Sequence, residues 1–187
     1  MINLKYSGTL ESKEMIGQLT DEFVDICRIS GWEYSVIKEN FQSMTMSPPA
    51  KDGSISPDAE AMETQTISSS EVFLEGISIK IRPDFEPIRF TFDRSGRLST
   101  IAFLSTDTSG LHKKLTVKKY EFLYYPYVKL HTEGADYHAQ VIKLLDYIKK
   151  RYIKDLEVVD SSFYWETRDD EMLKVKIWKT SIRQKSI

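Results

Sequence analysis

Apolar residues recur along this chain with two different periods, and the change of period marks the elements. In SKEMIGQLTDEFVDICRI (12–29), Met15, Ile16, Leu19, Phe23, Ile26 and Cys27 fall at three-four spacing, which is one stripe of an amphipathic helix. Ser12 reads as its N-cap. Glu11 and Glu14 suit the positive end of the helix dipole, and Gly31 suits a left-handed C-terminal cap. Strands flank it at INLKY (2–6) and WEYSVIKE (32–39). The same order returns in YVKLH (127–131), DYHAQVIKLLDYIKKRY (136–152) and LEVVDSSFYWE (156–166), with Val141, Leu144 and Ile148 repeating the spacing of Ile16, Leu19 and Phe23. The preceding strands align only after a one-residue slip. The recurrence is therefore either a duplicated β-α-β-β unit or a common β-α-β pattern met twice.

Between these segments the period falls to two, as in half-buried antiparallel strands. Ile77, Ile79 and Ile81 share a face in GISIKIR (76–82), and Ile88, Phe90 and Phe92 do so in IRFTFD (88–93). DRSGR (93–97) reads as a hairpin turn, with LSTIAFLS (98–105) as the returning strand and a bulge between Leu98 and Ile101. LTVKKYEFLYY (115–125) reads as a further strand. LKVKIW (173–178), after the turn TRDDE (167–171), reads as the last arm of a hairpin. The expected fold is α+β: a mostly antiparallel sheet of about eight or nine strands with two long helices on one face. Two lobes with separate sheets meeting pseudo-symmetrically are the alternative. The expected organisation is a single domain over 1–187, with pseudo-repeat halves 1–110 and 111–187.

Residues 41–70 break both periods. Pro48, Pro49 and Pro57 fall among many Ser and Thr with few large apolar residues, so a flexible insertion is expected there. Elsewhere, 41% hydrophobic and 29% charged residues support a proper core and exclude general disorder. No apolar run is long enough for a membrane span, and the first residues have no secretory pattern, so a cytoplasmic protein without membrane contact is expected. Residues 1–110 hold 10 Lys and Arg against 17 Asp and Glu, whereas 111–187 hold 16 against 11. Opposite signs of this kind suit an internal interface or a two-fold homodimer.

Candidate chemistry is sparse. His131, Glu133, Asp136 and His138 form the densest cluster, at a strand end, a turn and a helix start. Imidazole and carboxylate are suitable ligands for zinc or iron, but this spacing lacks the one-face geometry of two histidines a helical turn apart. Nucleophile elbows, phosphate-binding loops and paired cysteines are missing from the sequence, and no cofactor motif is present. Cys27 reads as a small buried hydrophobe. Tyr120, Phe122, Tyr124, Tyr125 and Tyr127, interleaved with Lys113, Lys114, Lys118, Lys119 and Lys129, have the composition of a single-strand nucleic-acid surface. Strand alternation, however, turns Tyr120, Phe122 and Tyr124 toward the core, and the near-neutral charge argues against nucleic acid as the partner. The expected function is that of a binding or interaction protein for a protein or small-molecule partner. A metal-dependent enzyme using His131, Glu133 and His138, and a nucleic-acid binder acting through 111–130, are the alternatives.

Overall fold

A computed structural model describes residues 1–42, 71–105 and 120–184 of the chain. Among these residues are eight strands and four helices: β1 (Ile2–Ser7), α1 (Met15–Ser30), β2 (Glu33–Gln42), β3 (Glu71–Lys80), β4 (Ile88–Phe92), β5 (Thr100–Ser105), β6 (Tyr120–Tyr125), β7 (Val128–Thr132), α2 (Ala135–Arg151), β8 (Glu157–Asp160), α3 (Tyr164–Thr167) and α4 (Asp170–Gln184). The class is α+β with antiparallel pairing. The expected single large sheet is corrected to three small ones, ordered β7-β1-β8, β2-β3-β4 and β5-β6. No described helix is long and apolar enough to cross a membrane.

β1 is the middle strand of its sheet. It buries Ile2, Leu4 and Tyr6 at alternate positions and pairs antiparallel with β7 on one side and β8 on the other. β7 and β8 therefore run parallel to each other, and α2 carries the chain between them across β1. Gly134 opens α2 at φ 82°, and its carbonyl accepts the His138 N–H at 3.1 Å. α1 instead leads from β1 into a different sheet, so the two strand-helix-strand segments are not paired alike.

α1 buries Ile16, Leu19, Thr20, Phe23 and Cys27 and ends at Gly31, whose φ of 68° only glycine adopts cheaply. It lies over the face of β3 and β4 that carries Ile77, Ile79 and Phe90, with the Phe23 and Phe90 rings 5.2 Å apart. α1 also meets α2. Glu22 accepts hydrogen bonds from the Tyr147 and Tyr152 hydroxyls and pairs with Arg151 Nε at 3.1 Å. Gly76 allows β3 and β4 to approach, because a Cβ there would stand 2.0 Å from the Phe90 carbonyl oxygen. Val72 and Leu74 are buried on the other face of β3. There Phe41, the register partner of Val72, meets Phe122 of β6 at 5.9 Å.

Three strand readings change. LEVVDSSFYWE is strand only over β8 and then turns into α3. LKVKIW lies inside α4, where Leu173 is buried and Ile177 packs on the core one turn later, while Val175 between them is 48% exposed. Asp169 caps this helix by accepting the Glu171 and Met172 N–H groups at 2.9 and 3.0 Å. LSTIAFLS returns along β4 only as far as Ser99, where Asp93 N–H donates to the Arg97 carbonyl at 3.0 Å, Phe92 bridges Leu98 and Ser99 N–H donates to the Thr91 carbonyl at 2.8 Å, and β5 then leaves to pair with β6. Of the expected 115–125 strand, Tyr120–Tyr125 is β6, and 115–119 lie outside the described residues. The expected insertion over 41–70, from residue 43 on, and the lysines at 113–119 lie outside the described residues.

Candidate functional site

The four residues of the densest sequence cluster separate in space. β7 alternation turns His131 outward, where Glu86 Oε2 sits 3.2 Å from its Nδ1 and also accepts its backbone N–H at 2.9 Å. Glu133 is exposed. Asp136 lies in the first turn of α2 and borders a cleft shared with Lys143, Asp170 and Lys174. His138 points inward and is fully buried. Among the described residues no group of three or more His, Cys, Asp or Glu side chains is placed to hold a metal ion.

His138 instead joins a buried polar network that links β7, α2, β8 and α3. Its Nδ1 lies 2.7 Å from the Thr132 hydroxyl, and its Nε2 lies 3.0 Å from Asp160 Oδ2 and 3.2 Å from Ser162 Oγ. Asp160 also accepts the Ser162 N–H at 2.8 Å, the Ser162 hydroxyl at 2.7 Å and the Trp165 N–H at 3.0 Å. Burial alone would raise the Asp160 carboxyl. The His138 and Ser162 hydrogen bonds outweigh it and leave the group at about 2, hence ionised. An ionised Asp160 requires a proton on Nε2, shared with Ser162. Serine and aspartate therefore sit on the same imidazole nitrogen, whereas a relay to a serine nucleophile needs them on opposite nitrogens. Thr132 does occupy the opposite nitrogen, but it has no solvent exposure. The network holds α2, β8 and α3 together, and its four side chains are buried. Cys27 is likewise enclosed, and burial pushes its thiol up from the usual range.

Among the described residues a cleft lies beyond the N-terminal end of α1. β3 extends past the helix there, so Phe73 and Glu75, on the same side as Ile77, are left uncovered by it. The result is a cleft of about 590 Å³, bordered by Lys13, Glu14, Ile16, Gly17, Phe73, Glu75, Asp93 and Arg94. Such a volume is in the range of small-molecule sites. A Cβ added at Gly17 would meet no atom within 4 Å, so the helix side is open.

The turn after β4 supplies the opposite wall. Asp93 Oδ1 accepts the Ser95 and Arg97 N–H groups at 2.8 and 3.1 Å, and Gly96 takes φ 80° to close the turn. Tyr124 donates to Asp93 Oδ2, and the Ser99 hydroxyl lies 2.8 Å from Tyr124 Oη. Burial would raise Asp93, but bonds from Ser95, Tyr124 and Arg97 hold it below the ordinary carboxylate range. Leu10 N–H donates to the Gly96 carbonyl at 2.9 Å, and Leu98 N–H donates to the Gly8 carbonyl at 2.9 Å. The turn carrying Arg94 and the segment leading to Lys13 are thus tied together. Arg94 reaches over Phe73, 5.8 Å from its ring centre, and pairs with Glu71 at 3.1 Å where both side chains are well exposed. Lys38 pairs with Glu75 at 3.4 Å. Lys13 has no carboxylate at ion-pair distance among the described residues.

No family model, curated protein or solved structure matches this chain, so the meaning of the cleft rests on its own residues. No sequence motif marks Lys13, Phe73 and Arg94 as a group. Nothing in the sequence joins them except that each stands next to a break between elements.

Proposed function

We propose that this chain is a binding protein that holds a small zwitterionic ligand with an apolar body in the cleft beside α1. The observation that carries this reading is the charge pattern around Ile16 and Phe73. Asp93 is consumed by its turn and by Tyr124, and the rim of the cleft carries Lys13, Glu14, Arg94, which shares Glu71, and Glu75, which shares Lys38. A ligand with one charge of each sign offers a counter-charge to both kinds of group and competes only with exposed, weak ion pairs at Arg94 and Glu75. Its carboxylate faces Lys13 and Arg94, its ammonium faces Glu14 and Glu75, and its body covers Phe73 and Ile16. Charge-assisted hydrogen bonds are the stronger ones, so they set the ligand's orientation, while the apolar floor adds area.

Phenylalanine, leucine and their dipeptides are the probes, titrated into isotopically labelled protein while the Gly17, Phe73 and Arg94 amides are followed. Saturable shifts confined to these positions are expected. N-acetyl-phenylalanine and phenylalanine amide, each lacking one charge, should bind about tenfold more weakly, as should the Arg94→Gln and Glu75→Gln proteins. Lack of any shift up to millimolar probe, or binding indifferent to both substitutions, rejects the reading.

A further inference from the structure

Gly17 is the one described glycine that neither the backbone nor the packing requires. Gly8, Gly31, Gly76, Gly96 and Gly134 all take positive φ values that side chains disfavour, whereas Gly17 lies in the first turn of α1 and does not. A Cβ at Gly8 or Gly76 would also collide with its surroundings, but at Gly17 it would meet no atom within 4 Å. Glycine weakens a helix relative to alanine, so at this position it lowers the stability of α1 and relieves no crowding inside the fold. What stands beside Gly17 is the cleft, which it borders together with Lys13, Glu14 and Ile16.

We infer that Gly17 sets how bulky an apolar body the ligand carries, and that its missing side chain admits an aromatic or branched amino acid. The inference rests on the reading of the cleft as a zwitterion site. A helical side chain leans back over the turn that precedes it, so one at position 17 would lean toward Lys13 and Glu14. It would narrow the cleft on its helix side without removing any charged group from the rim. The bare position therefore leaves that space to the ligand. The charges decide which way round the ligand lies, and Gly17 decides how large it is.

Titration of alanine, leucine and phenylalanine into the full chain, followed through the Phe73 and Arg94 amides, tests the inference on the unaltered protein and on Gly17→Ala and Gly17→Leu. The three probes carry the same two charges and differ only in the body. The unaltered protein should bind phenylalanine and leucine more tightly than alanine. Gly17→Leu should weaken phenylalanine at least about tenfold and alanine by much less, so that the preference for the bulky probe is lost, and Gly17→Ala should fall between. Position 17 is exposed and both replacements favour helix, so the variants keep their fold, which circular dichroism checks. Phenylalanine binding unchanged in Gly17→Leu, or alanine and phenylalanine weakened alike, overturns the inference and leaves the reading of the cleft standing. An unaltered protein that binds none of the probes overturns both.

Discussion

Tyr124 donates its phenolic proton to Asp93 Oδ2 at 2.6 Å, and that bond ties β6 to the turn that carries Arg94. Burial, and then the Asp93 carboxylate beside it, push the phenol up to about 12, so it stays a donor throughout the working range of pH. Tyr124→Phe should lower stability by about 1–2 kcal/mol, read from the denaturant midpoint. It should also loosen the turn, so that the Ser95 and Arg97 amides exchange with solvent faster. Unchanged exchange in that variant would mean that the Asp93 turn holds Arg94 unaided.

Asp160 sets the acid side of stability. Its carboxyl stands at about 2 in the folded chain against an ordinary 3.8. A depressed folded value means that the stabilisation is complete above the unfolded value and disappears as pH falls through the folded one. The protein should therefore lose about 2 kcal/mol between pH 4 and pH 2 from this group alone. Urea unfolding at steps across that window measures the slope, and Asp160→Asn should remove this contribution.

Removing His138 leaves the Asp160 carboxylate buried without its imidazole partner. His138→Ala should cost about 3–5 kcal/mol. The double variant with Asp160→Asn should cost clearly less than the sum of the two single ones, because the second change removes the stranded charge. Additive costs in a double-mutant cycle would show that the pair does not act as a unit.

At Gly76 the expected outcome is steeper. An alanine there would face the Phe90 carbonyl at a distance no folded chain accommodates, at a φ of 146° that side chains disfavour. Gly76→Ala should destabilise by about 3 kcal/mol or more and part β3 from β4, visible as lost amide protection along both strands. Gly17→Ala is the control: it adds a methyl into open space and should leave stability the same or slightly higher.

Elements with a long uninterrupted period were legible in the sequence. α1, α2, β1, β4 and the Gly96 turn all follow from spacing and turn chemistry that act within a few residues, and Gly31 ends α1 as expected. The expected Ser12 N-cap is corrected: α1 begins at Met15 after Glu14, and no side chain caps it. α4 was misread because Leu173, Val175 and Ile177 satisfy period two, and Leu173 with Ile177 also satisfies one helical turn. The deciding signal was Asp169, whose cap ahead of Asp170 and Glu171 announces a helix start. The partition into three sheets was not legible, because alternation says that a strand is half-buried and never says beside which neighbour. Likewise His131 and His138 are close in number, yet a strand turns one outward and a helix turns the other inward. His138's partner, Asp160, comes 22 residues later. The cleft draws on three separate segments, and only the folded chain brings them side by side.

The central place of β1 has a consequence for how the protein is made. Leu4 finds its neighbours at Leu130 and Asp160, so β1 leaves the ribosome with both hydrogen-bonding edges bare and Ile2, Leu4 and Tyr6 uncovered. At ordinary translation speeds the wait for those neighbours is on the order of 10 s. Throughout that interval the nascent chain offers an open template to any passing strand. That exposure ends only when Asp160 has been made, and a chaperone that shields β1 on the nascent chain would raise the yield.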